Sequence, residues 1–150
     1  MTTPAVRPAT PRDAAEIARL LTELGHPTDA ASVAARWDAW AAAGNAALVA
    51  PNADGTLAGV ATFSQRIALH RPRPVGRITA LVVDARVRGQ GTGRALVAAA
   101  EAALDAAGCG LLEITSNRRR VDAHAFYERL GYEPTGVRFA KTLPGAAVGS

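Results

Sequence analysis

Apolar positions along this chain follow two rhythms, and the points where the rhythm changes outline its elements. Ile17, Leu20, Leu21 and Leu24 recur at helical spacing behind Thr10-Pro11-Arg12-Asp13, which offers a hydroxyl cap, a first-turn proline and an early acid; Gly25 ends the run. Pro27-Thr28-Asp29 predicts the start of a second helix carrying Val33, Trp37 and Trp40 and ending at Gly44. The pattern then turns to strands. Val6 opens a short one, and Ala46 to Ala50 and Leu57 to Leu69 predict two more, joined by the turn Asn52-Ala53-Asp54-Gly55. A proline-rich link, His70 to Pro74, leads to a β-branched strand from Val75 to Val83. An alanine-rich helix follows from Thr92 to Ala107, with Leu96, Val97, Ala100, Leu104 and Ala107 on one face and Arg94, Glu101 and Asp105 on the other. Its apolar side chains are mostly small, so it is expected to lie close to a sheet. Leu111 to Thr115 predicts a strand, Asp122 to Leu130 a helix, and Tyr132-Glu133 and Gly136 to Thr142 a last pair of strands.

This order predicts one α/β domain over residues 1–150: a mixed central β-sheet of about six to seven strands flanked by four helices on both faces, with Pro144 to Ser150 a frayed tail. No internal repeat or low-complexity tract interrupts it.

The connection between the β-branched strand and the alanine-rich helix carries the candidate chemistry. It reads Arg88-Gly89-Gln90-Gly91-Thr92-Gly93-Arg94. Alternate glycines let the backbone turn tightly, and the amides of that turn and of the helix N-terminus then converge on a spot that favours an anion such as a pyrophosphate. Arg88 and Arg94 flank the spot. The third glycine of a dinucleotide fingerprint is missing, since Arg94 stands in its place, and the G-x-x-x-x-G-K-[ST] string of nucleoside triphosphate loops is absent.

Composition narrows the class. With 49% hydrophobic and 20% charged residues the 150-residue chain reads as an ordinary globular domain. The net charge of +4 raises a polyanion as partner, but the arginines are scattered from Arg7 to Arg138 and no aromatic residues interleave with them. A solvated surface plus a phosphate site accounts for the charge, so no nucleic-acid partner is expected. Cys109 is the one cysteine, between Gly108 and Gly110; it forbids an intramolecular disulfide, fits a reducing compartment and reads as a buried structural thiol. No stretch has the length of a membrane span and no signal pattern opens the chain, so the expectation is a cytoplasmic protein without a membrane partner.

A second motif lies downstream. In Asp122-Ala-His-Ala-Phe-Tyr-Glu-Arg-Leu-Gly-Tyr132, Ala123, Phe126 and Leu130 repeat at helical spacing, and Tyr127 stands one step round from that face. The R-x-x-G-x-G string at Arg88, Gly91 and Gly93 resembles the coenzyme A pyrophosphate loop of the GNAT N-acetyltransferases. The F-Y-E-x-L-G-Y helix end resembles the C-terminal signature of the same superfamily, and the two motifs stand in the right order with a helix and a strand between them.

The resemblance implies a GNAT fold splayed at the cofactor strand, with acetyl-CoA as cofactor. Leu81, Val82 and Val83 would bind the pantetheine arm as an added strand would. The amides of Arg88, Gly89, Gln90, Gly91, Thr92, Gly93 and Arg94 would hold the pyrophosphate. Tyr127 would protonate or hydrogen-bond the departing thiolate. The reaction it implies is direct attack of a neutral amine on the thioester, with a backbone N–H near Leu81 stabilising the oxyanion and neither a covalent enzyme intermediate nor a metal. Many relatives carry a glutamate on the strand before the cradle; here Thr79-Ala80 stands there, and Glu113 is the remaining candidate base, or else a carboxylate paired with an arginine at the sheet surface. Asn117 and Arg120 are candidates for contacts to coenzyme A, and Arg118-Arg119-Arg120 for its 3′-phosphate or for a solvated basic loop. His26 and His70 fall in candidate rim loops and read as solvated residues, His124 as an exposed or outlying residue of the Tyr127 helix, and Trp37 and Trp40 as core or a dimer face. The implied partner is a small-molecule amine acceptor, and relatives are often homodimers. The other function class left open is a non-catalytic acyl-CoA-binding sensor or interaction module.

Overall fold

Three antiparallel strands form the centre of the sheet: β2 (Asn45–Pro51), β3 (Leu57–Arg66) and β4 (Val75–Val83). The computed structural model describes residues 3–115, 121–136 and 138–145. A two-residue β1 (Arg7–Pro8) pairs antiparallel with β2, and β5 (Leu111–Ile114) joins β4 in parallel, giving one five-stranded sheet in sequence order. Four helices accompany it: α1 (Ala14–Leu24), α2 (Ala30–Ala42), α3 (Thr92–Ala106) and α4 (Val121–Arg129). The chain divides into two units, Met1–Thr115, which holds the sheet, and Ser116–Ser150, which holds α4.

Alternation along the strands builds two cores. Ala47, Val49, Val60 and Val82 face α1 and α2, where they meet Ile17 and Leu20, with Val33, Trp37 and Trp40 packed against the cluster. Ala50, Ala58 and Ala61 face the other way and meet Leu96 of α3, with Leu48 and Leu81 beside them. The tryptophans are half-buried against this core, with ring centroids 5.1 Å apart.

The expected closeness of α3 to the sheet has a specific cause. A Cβ on Gly59 would lie 2.8 Å from the Val82 carbonyl oxygen, 2.9 Å from Leu96 Cδ1 and 3.2 Å from Thr92 Cγ2. The first contact is backbone and cannot yield cheaply. Gly59→Ala should therefore destabilise the fold by about 1–3 kcal/mol through overpacking, read as a lower urea midpoint; an unchanged midpoint would contradict this account.

β4 carries the feature that matters most for function. Thr62 pairs with Ala80 but Phe63 pairs with Ile78, leaving Thr79 as the extra residue of a β-bulge. Among the described residues, pairing with β5 runs from Val75↔Leu111 to Ile78↔Ile114. From Thr79 to Val83 the outer edge of β4 has no strand partner among the described residues, and residues 116–120, which follow β5, lie outside them.

Three expectations are corrected. The strand from Leu57 ends at Arg66, not Leu69, because its last ladder pair is Arg66↔Val75 and the chain then turns away, leaving Ile67 and Leu69 exposed. The sheet has five strands among the described residues instead of six to seven. Residues 132–136 and 138–143 form no strand among the described residues, and Pro134 has no N–H to donate to a ladder.

Candidate active site

The loop from β4 to α3 begins at Asp84 and is fastened before it reaches the glycines. The Asp84 carboxylate, 2% exposed, accepts from the Arg86 amide at 3.0 Å, from Arg86 Nη2 at 2.7 Å and from Arg19 Nη1 of α1 at 3.0 Å. Its own amide donates to the Ala58 carbonyl at 2.8 Å. Arg19 also forks onto Glu16, whose Oε1 accepts from the Leu57 amide at 2.8 Å, while the Leu57 carbonyl accepts from Arg19 Nη2 at 3.0 Å. Glu23 accepts from the Ala85 amide at 2.9 Å. One polar side of α1 thus ties the start of β3 and the end of β4 together. Sequence reading missed this network, whose signal was the Glu16-x-x-Arg19-x-x-x-Glu23 spacing on a helix that is otherwise apolar.

These contacts hold the acids in their charged forms. Hydrogen bonds from the Arg86 guanidinium, then its amide, hold Asp84 well below the usual carboxylate range, with Arg19 adding to the effect. Glu16 is lowered chiefly by Arg19, and Asp13 chiefly by Arg7, whose guanidinium donates to both its oxygens at 2.9 Å. A carboxylate lowered on folding contributes stability that is fully present above its unfolded value and is lost as pH falls through the folded one. Tm should therefore be flat from pH 8 to 6 and fall steeply below about 4, where the unfolded chain binds more protons. A Tm that holds steady down to pH 3 would contradict this.

Beyond the fastened turn the glycines lead into the N-terminus of α3. Gly91 has φ +83° and ψ 7°, a left-handed conformation that L side chains rarely adopt, and caps α3. Space for a Cβ there is open, with nothing within 4 Å, and the same holds at Gly89. The first helical bond runs from the Ala95 amide to the Gly91 carbonyl at 3.0 Å, so the amides of Thr92, Gly93 and Arg94 have no acceptor within the helix. Arg88, Gln90 and Arg94 are exposed, and neither arginine forms an ion pair among the described residues. Thr92 is buried with its methyl turned toward Gly59, so it offers an amide to the cradle while its side chain packs. Leu81 and Val83 are half-buried and Val82 is core, which leaves the backbone edge of β4 as their contribution. A long ligand with an anionic middle and an extended arm fits such a site: phosphates at the amides, the arm along the bulged edge.

Glu113 lies at the sheet surface as a paired carboxylate. Arg77 Nη2 donates to its Oε2 at 2.9 Å, and Arg66 Nη2 stands 3.8 Å from Oε1. Tyr127 is half-buried on α4, its ring edge-on to Phe126 at 5.5 Å and to Tyr132 at 6.3 Å. Its carbonyl accepts from the Leu130 and Tyr132 amides, both at 3.0 Å, which closes the helix at Gly131 and fixes the backbone of Tyr127. Asn117 and Arg120 lie outside the described residues. His26 and His70 are exposed, and His124 is half-buried on α4. Cys109 is buried, its thiol 3.7 Å from Gln65 Oε1.

A mixed sheet with a bulged strand that runs into a glycine-turned helix N-terminus defines an α/β protein whose β4–α3 turn could receive an anion. The acetyltransferase (GNAT) family model matches residues 14–132, and the chain belongs to that family, whose members use acetyl-CoA as co-substrate. It is 39% identical over 90 residues to an aminoalkylphosphonate N-acetyltransferase of Salmonella typhimurium, a match covering 60% of this chain and 58% of that relative. It is 35% identical over 135 residues to an aminoglycoside N(6′)-acetyltransferase type 1 of Stenotrophomonas maltophilia, covering 88% of each. Among solved structures, an acetyltransferase of Trypanosoma brucei superposes with a TM-score of 0.81 at 26% identity, covering 93% of this chain and 99% of that one. No helix among the described residues is long and apolar enough to cross a membrane.

Proposed function

We propose that the chain transfers the acetyl group of acetyl-CoA directly to a primary amine of a small-molecule acceptor. The observation that carries this reading is the bulge at Thr79, on a strand that leads, through the Asp84 turn, to the helix N-terminus capped by Gly91. When bound, acetyl-CoA supplies the acetyl group as a reactive thioester. The amides of residues 88–94 hold its pyrophosphate, with Arg88 and Arg94 adding charge. Backbone groups of Leu81, Val82 and Val83 hold its arm, and an N–H near Leu81 stabilises the charge that develops on the carbonyl oxygen. Tyr127 donates a proton to the leaving sulfur. Glu113 takes a proton from the incoming ammonium through Oε1, which stands 3.8 Å from Arg66 and so beyond hydrogen-bond distance. Asn117 and Arg120 contribute further contacts to coenzyme A. The two relatives above are named for an aminoalkylphosphonate and an aminoglycoside, so relatedness supports a small amine acceptor without choosing its class.

The test is a calorimetric titration with acetyl-CoA and with its 3′-dephospho analogue, followed by release of free thiol in the presence of amines. Micromolar binding, about 8 kcal/mol, and amine-dependent thiol release are the expected results. A weaker dephospho titration would support the arginine loop as the 3′-phosphate clamp. No binding to either would overturn the reading.

A further inference from the structure

The sheet face covered by α1 and α2 continues past Val60 and Val82 as a polar stripe. Thr62 and Thr79 lie there with hydroxyls 2.7 Å apart. Arg77 pairs across β4 and β5 with Glu113, and the Arg66 guanidinium reaches the same carboxylate. The opposite face of these strands is closed core, with Ala61, Phe63 and Ile78 buried. On the acetyl-transfer reading, an amine must meet β4 near the bulge from the polar side, because α3 covers the other face. At about 3.3 Å per residue, Arg77 stands roughly 7 Å from the bulge at Thr79. An arginine side chain rooted there can turn back toward a group carried a few bonds from such an amine.

Charge identifies the second group. Between Asp54 and Asp84 the sequence carries Arg66, Arg71, Arg73 and Arg77 and no acid. All four are exposed, and within this stretch's side chains Glu113 is the carboxylate that answers any of them. A polycationic acceptor would meet like charge over the whole hairpin. Planar guanidiniums instead match the oxygens of a phosphonate, phosphate or carboxylate. We propose that the acceptor is a short amine bearing such an oxyanion, held by Arg77 and Arg66, with its amine directed to Thr79. This specificity rests on the acetyl-transfer reading above.

The experiment measures kcat/KM by thiol release with 2-aminoethylphosphonate, β-alanine, propylamine and an aminoglycoside, in the parent and in Arg77→Met and Arg66→Met. Both arginines are partly exposed, with side-chain exposures of 44% and 56%, so the variants should fold; acetyl-CoA titration checks each one. The parent should favour an oxyanion-bearing amine over propylamine by at least about tenfold, and each variant should cut that ratio by about tenfold, equivalent to ~1.4 kcal/mol. Phosphonate against β-alanine tells which oxyanion is preferred. A parent that prefers propylamine or the aminoglycoside, or a ratio that survives both substitutions, overturns the proposal while leaving acetyl transfer standing. A parent that binds no acetyl-CoA overturns both.

Discussion

Tyr127→Phe should lower kcat by roughly 100-fold or more while leaving acetyl-CoA affinity within about threefold, because removal of a positioned general acid costs 10²–10⁴-fold in the chemical step. The substitution deletes one oxygen and keeps the ring, so the edge-on contacts to Phe126 and Tyr132 survive. The backbone bonds that close α4 run through the Tyr127 carbonyl and do not depend on the side chain. Pre-steady-state thiol release against calorimetric binding separates the two quantities. Unchanged turnover would remove the acid role from Tyr127. A parallel loss of affinity would show that the hydroxyl serves binding instead.

Asp84→Asn should weaken acetyl-CoA binding by roughly 10- to 100-fold, the equivalent of one or two charge-assisted hydrogen bonds lost at the cradle. No atom of Asp84 needs to touch the cofactor for this. Its carboxylate is where Arg19 of α1, the Arg86 side chain and the Arg86 amide converge, two residues before Arg88. An amide nitrogen in place of one oxygen faces those donors with another donor, and the turn that aims the glycine loop loses its anchor. Tm should fall as well. The discriminating readout is the split between parameters: the Kd for acetyl-CoA should rise while kcat at saturating acetyl-CoA changes less than about threefold. Asp84→Glu, which retains the charge, should recover part of the affinity. A variant that loses Tm but binds acetyl-CoA as tightly as the parent would make Asp84 a stability residue alone.

Local chemistry explains which parts of the fold could be read in advance. The cradle was legible because Gly89 and Gly91 mark a backbone conformation at their own positions, and a helix N-terminus follows from the run beginning at Thr92. The helices were legible because apolar spacing and glycine stops are local signals. Phe139 and Leu143 alternate like strand residues, yet both are exposed and no strand forms there. Alternation states which face could be buried, and a strand also requires an edge to pair with. Ile67 and Leu69 misled in the same way, by extending an apolar pattern past the last ladder pair. Glu113 could be read either as a base or as an ion-pair partner because a strand position does not reveal its cross-strand neighbours. Only register puts Arg77 beside it.

Sequence by itself therefore determined the helices, the glycine turn before α3 and the two motifs of the acetyltransferase family, since each depends on residues within a dozen positions of one another. Tertiary structure alone decided the rest. The bulge at Thr79 exists because β3 and β4 slip by one residue. Asp84 is an anchor because α1, far earlier in the chain, brings Arg19 to it. Arg66, Arg77 and Glu113 form one cluster because three strands meet in register. Contacts between residues tens of positions apart have no signature in local periodicity; they are set by how the two apolar faces of the sheet are buried.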